Sequence, residues 1–168
     1  MPVLDKVQAD VLAVDPEDNP LLLVKVRAHG ALSDAMRHEV EEELRRIPVP
    51  LVMMADKSVM QFFRWDGEAL QGPLAELSTA EVLSAYDKNF ATREIFDFHF
   101  RNLVSSWLED LLHSWKLQNP PGKESLAQAG LLAPLQLPGV ATRANVSLVQ
   151  GLMIQRNEDG RDYFAPRF

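Results

Sequence analysis

The sequence predicts an α/β domain of the α+β kind, with a mixed central sheet and flanking and appended C-terminal helices. Three observations carry that expectation. Residues 8 to 14 and 20 to 28 are runs rich in Val and Leu on either side of the turn Asp15-Pro16-Glu17-Asp18-Asn19. A capped helical stretch separates them from two more apolar runs, so strands and helix interleave early in the chain. Residues 92 to 115 carry the strongest helical periodicity of all. The 168 residues can bury a substantial core and are expected to form a single domain, 1–168.

Taken in order, the first two runs form a hairpin. Gly30 breaks the pattern, and Ser33 or Asp34 caps a helix reaching about Arg46 with Ala35, Val40, Leu44 and Ile47 on its apolar face. Pro48 and Pro50 stop it. Residues 51 to 55 (LVMMA) and 59 to 65 (VMQFFRW) read as strands around Asp56-Lys57-Ser58, the first apolar throughout, as an interior strand is. Asp66-Gly67 makes the next turn. Ser78 followed by Glu81 is a capping box opening a short helix toward Lys88. In the long helix, Phe96, Phe100, Leu103, Trp107, Leu111 and Leu112 share one face, with His99, Asn102, Ser106, Glu109 and His113 opposite. Asn119-Pro120-Pro121-Gly122 ends it, residues 123 to 132 form a short helix, and Pro134 and Pro138 mark irregular chain. Residues 144 to 156 alternate loosely, and Asn157-Glu158-Asp159-Gly160 turns them back toward Tyr163 and Phe164 in a terminal hairpin.

Composition narrows the function classes. Hydrophobic residues at 46 % and charged residues at 24 % are ordinary for a soluble globular protein. With no cysteine, disulfides, thiolate zinc sites, iron–sulfur clusters and cysteine nucleophiles are excluded. The opening MPVLDKVQAD has neither a basic n-region nor an apolar h-region, and no apolar run approaches the roughly 18 residues of a membrane span, so a cytoplasmic protein with no membrane association is expected. A formal net charge of −7 works against a nonspecific nucleic-acid binder. Lys25, Arg27, His29, Arg37, His38, Arg45 and Arg46 cluster in sequence, but Glu39, Glu41, Glu42 and Glu43 are interleaved with them, so the segment reads as a solvated face of mixed sign in preference to a phosphate-binding patch.

The most informative residues are Asp10 on the first strand and Lys25 and Arg27 on the second. An acid facing charged residues across a hairpin is how a metal nuclease sets out its ligands. Two cations, however, cannot complete the oxygen cage that Mg²⁺ requires. The order strand, strand, helix, strand, strand, with ADVLAV before the turn, LLLVKVRA after it and IPVPLVMMADKSVMQFFRWDG beyond the helix, resembles the PD-(D/E)xK nuclease superfamily. Within it the chain is most similar to small domains related to the N-terminal region of type I restriction enzyme motor subunits. The resemblance spans roughly residues 1 to 70. It implies a restriction-endonuclease-like sheet core with one helix over 1–70, accessory helices over 78–132, and an irregular or hairpin tail over 133–168.

By that resemblance Asp10 matches the first metal-binding acid, Lys25 stands where the second acid belongs, and Arg27 replaces the catalytic lysine. In the family the acids hold the divalent ion and the lysine orients or deprotonates the attacking water. Arg27 is a poor proton acceptor, and Lys25 repels an ion and is expected to pair with Asp10, closing the site as a salt bridge or leaving an anion or phosphate pocket at Lys25 and Arg27. The expectation is a degenerate, noncatalytic site with no metal and no cofactor, on a module that binds a protein partner or a second copy of itself. The alternative is a Mg²⁺-dependent nuclease or nucleic-acid-binding protein in which a displaced acid such as Glu17 completes the site.

Other constellations read more simply as structure. Asp15, Glu17 and Asp18 are natural turn acids. His99 and His113, about four helical turns apart, are too distant to share an ion, and His29 and His38 have no further zinc ligands in view. Ser105 and Ser106 lack a glycine-rich elbow, and no G-x-G-x-x-G or P-loop occurs. Phe62, Phe63 and Trp65 read as strand aromatics divided between a core and a packed helix before a base-stacking platform. The face of the long helix reads as core or as a dimer seam, and Met53, Met54 and Met60 as adaptable packing.

Overall fold

Asp15 organises the first turn. Its carboxylate accepts the N–H groups of Glu17 (2.9 Å) and Asn19 (2.8 Å) and the side-chain amide of Asn19 (3.0 Å). On either side of that turn β1 (Lys6–Val14) and β2 (Pro20–Val26) pair antiparallel, with Val11 opposite Val24 and Leu12 opposite Leu23, so the predicted hairpin forms. This computed structural model describes residues 6–149, 152–156 and 162–166.

Ser33 then caps α1 (Asp34–Arg46), its hydroxyl accepting from the Met36 N–H at 3.2 Å. The buried positions of α1 are Met36, Val40, Glu41 and Leu44, whereas Ala35 is exposed. Spacing by four residues from Met36 sets the stripe, and Ala35 falls off it. The crossover through α1 brings β3 (Leu51–Ala55) parallel to β2, and all five residues of β3 are buried, as an interior strand requires. β4 (Val59–Trp65) returns antiparallel. Asp56 shapes the turn between them, with one carboxylate oxygen taking the Ser58 and Val59 N–H groups at 2.7 and 2.8 Å and the other the Leu32 N–H at 3.0 Å.

The sequence pattern missed β5 (Leu70–Ser78), an edge strand interrupted by the cis peptide Gly72-Pro73 and largely exposed. Edge strands tolerate Pro because one row of their N–H groups faces solvent. α1 holds the start of β5 at Leu70: Glu41 accepts its N–H at 2.8 Å and Arg37 donates to its carbonyl. Downstream, Ser78 caps α2 (Thr79–Leu83), which stops short of Lys88. α3 (Asp97–His113) begins five residues later than the periodicity suggests, so Phe96 is its N-cap residue and lies exposed. The buried face of α3 runs through Phe100, Leu103, Val104, Trp107, Leu108 and Leu111. α4 (Lys123–Gln128) is shorter than predicted, and a 3₁₀ turn covers Ala133–Gln136.

The last part of the chain corrects the expected division most. β6 (Ala141–Val149) pairs antiparallel along β1, and β7 (Leu152–Arg156) and β8 (Asp162–Pro166) continue from it, giving one sheet in the order β5-β4-β3-β2-β1-β6-β7-β8. The sheet therefore is not confined to residues 1–70: Ala141–Val149, Leu152–Arg156 and Asp162–Pro166 belong to it. The terminal hairpin pairs as predicted, Ile154 opposite Phe164, while the proposed turn at 157–160 lies outside the described residues.

The fold is thus mixed α/β, with one core on each face of the sheet. Val11, Val24, Met53 and Phe62 meet Phe100 and Trp107 of α3 on one face, and Leu12, Leu23, Val52 and Phe63 meet Val40 and Leu44 of α1 on the other. Phe62 and Phe63 divide between the two, as the strand alternation predicts. Among the described residues no helix is long and apolar enough to cross a membrane.

Candidate functional site

Both ladders of the central strand β1 are irregular at Asp10. Toward β2 the pairing ends at Val11 and Val24. Toward β6 it passes from Ala9 opposite Val146 to Val11 opposite Ala144, and Asn145, standing across from Asp10, has a positive φ of 53°. The inside–outside alternation of β1 slips here too: Ala9 and Leu12 both belong to the core under α1, and Val11 and Ala13 to the core under α3. Where the main-chain ladder stops, side chains replace it. One oxygen of Asp10 accepts the Val26 N–H at 2.8 Å, and the next outward N–H along that edge, of Ala28, goes to Asp97 at 2.9 Å. Asp97 is the first residue of α3, so the two carboxylates tie β1 and α3 to the end of β2.

Arg101, one turn along α3, brings a guanidinium nitrogen to 4.0 Å from the other oxygen of Asp10 and lies 5.4 Å from the centre of the Phe98 ring. That distance is beyond a hydrogen bond. Burial raises the Asp10 carboxyl above the ordinary carboxylate range; the Val26 N–H, Lys25 and Arg101 oppose the rise, and the neighbouring Asp97 adds to it.

Lys25 and Arg27 do not join this group. Residues two apart on a strand share a face, and Val24 and Val26 take the face toward α3. Lys25 instead reaches α1, its Nζ lying 3.1 and 3.2 Å from the two carboxylate oxygens of Glu43 in a half-buried ion pair. Arg27 is exposed and donates to the Ala31 carbonyl at 3.4 Å. The expected Asp10–Lys25 pair is therefore not formed, and Lys25 is spent on Glu43 rather than lining an anion pocket with Arg27. Nor do the hairpin acids supply a displaced ligand: Asp15 holds its own turn, Asp18 lies 3.7 Å from Arg143, and Glu17 is exposed at the tip beyond β1.

The second acid beside Asp10 is Asp97, which sequence reasoning passed over together with Arg101. Their signal was the i, i+4 acid-to-base spacing at the start of the long helix. The set does not fit a Mg²⁺ site. Asp10 and Asp97 are each engaged by a backbone N–H, a guanidinium stands alongside, and the positions that ought to add oxygen ligands carry cations directed elsewhere. Among the described residues no group of three or more His, Cys, Asp or Glu is arranged to hold a metal ion. The histidines are dispersed: His99 contacts Asp87 at 2.9 Å, His113 lies 4.0 Å from Glu109, His38 meets the Asp34 carbonyl at 2.7 Å, and His29 sits edge-on to Phe96 at 6.0 Å. Ser105 and Ser106 are half-buried on α3.

Beside the carboxylates the start of α3 presents an apolar pair to solvent, Phe96 (63 % exposed) and Phe98 (52 %). At the other end of the same helix Asp110 is fully buried. It accepts the Tyr86 hydroxyl and the Lys116 N–H, each at 2.5 Å. Burial pushes the Asp110 carboxyl up, but bonds from Tyr86 and the N–H groups of Lys116 and Leu117 outweigh it and hold the carboxyl below the ordinary range; the Tyr86 hydroxyl is correspondingly pushed up, by burial first and Asp110 second. Compared with known proteins, the chain matches no family model, no curated protein and no solved structure.

Proposed function

We propose that this chain is a noncatalytic, nuclease-like domain that serves as an interaction or assembly module. One observation carries the reading: the three side chains at the motif positions are each committed to a different neighbour, Asp10 to the Val26 N–H, Lys25 to Glu43 and Arg27 to the Ala31 carbonyl. The succession β1, β2, α1, β3, β4 supports a nuclease-like scaffold, and the net charge of −7 favours a protein partner over nucleic acid. The exposed Phe96 and Phe98 are the surface on which such a partner is expected, since solvent-facing aromatics act as interface anchors when covered.

The test pairs two measurements on the purified chain. Incubation with single- and double-stranded DNA and with RNA, in Mg²⁺ and in Mn²⁺, is expected to leave every substrate intact; cleavage that disappears in Asp10→Ala overturns the proposal. Sedimentation across a concentration series then asks whether the partner is a second copy, in which case Phe96→Ser with Phe98→Ser shifts the distribution to monomer. A metal-dependent nuclease remains the second reading because one observation favours it: Asp97 stands beside Asp10 as an acid displaced from the usual position. Calorimetric titration with Mn²⁺ separates the two, since that reading requires heat that vanishes in Asp97→Asn.

A further inference from the structure

We draw no further inference here: the strongest candidate, the exposed Trp115 on the loop that Asp110 pins after α3, is an unpartnered apolar group, and nothing in the structure shows what covers it.

Discussion

Asp10 and Asp110 are two carboxylates set among apolar side chains, and the protein treats them in opposite ways. Around Asp110 three donors converge, from a tyrosine and from two backbone N–H groups of the loop after α3, and they hold the charge down. Around Asp10 one backbone N–H is close, Lys25 acts without contact, Arg101 of α3 stays 4.0 Å away, and a second acid stands nearby. Burial opposes both charges, so the count of close donors decides the sign. Asp110 is a brace that works while ionised. Asp10 is a ladder cap whose charge is a burden, because any acceptor oxygen would serve the Val26 N–H.

That contrast is broken or sharpened by substitution. The largest loss is expected for Asp110→Ala, which leaves the Tyr86 hydroxyl and the Lys116 N–H buried without an acceptor; about 3–5 kcal/mol should disappear in urea denaturation at neutral pH. Because its folded carboxyl lies below the unfolded value, the part of Asp110's contribution that depends on ionisation is present above the ordinary carboxylate range and fades as pH falls through the folded value, so the gap between variant and parent should narrow in acid. Asp97→Ala removes the acceptor of a single N–H, that of the buried Ala28, and should cost about 1–2 kcal/mol, with faster amide exchange at Ala28 as its local signature.

Lys25→Glu sets two carboxylates facing each other on the α1 side and should destabilise by about 1–2 kcal/mol. It should not create Mn²⁺ binding by calorimetry, because the side chain at position 25 reaches Glu43 of α1 and does not contact the Asp10 carboxylate; a new binding isotherm would refute the placement. The smallest effect belongs to Asp10→Asn, which keeps an acceptor for Val26 and deletes a burdened charge, for a change within about 1 kcal/mol and in the stabilising direction at pH 7. The sign follows from the raised folded carboxyl: ionisation weakens the fold as pH climbs from the ordinary carboxylate range through the raised value, so the advantage of Asn should vanish below that window. A clear loss of stability in Asp10→Asn at neutral pH would place Asp10 in the same class as Asp110.

Local patterns reached far in this chain. The first hairpin, the Ser33 cap, the fully buried β3 and the split of Phe62 from Phe63 were all readable, because each depends on neighbours within a few residues. β5 escaped notice since Gly72 and Pro73 mimic a loop, and the place of β6 escaped because pairing with β1 leaves no local trace. The site was legible in the same proportion. Asp10 stood out, but its true neighbours are on α3, almost ninety positions on, and strand alternation could not reveal that the pattern of β1 slips at that residue.

The pairing of Lys6 with Val149 has a consequence in time. β1 ends at Val14, yet the neighbour on its second edge starts only at Ala141, so β1 is made long before the strand that covers it. Until then the middle of the future sheet is an open edge with unpaired N–H and C=O groups, able to recruit any extended segment nearby. Closing so long a loop makes folding slow relative to helical proteins of this size, and a nascent chain stalled before residue 141 should be the species that aggregates.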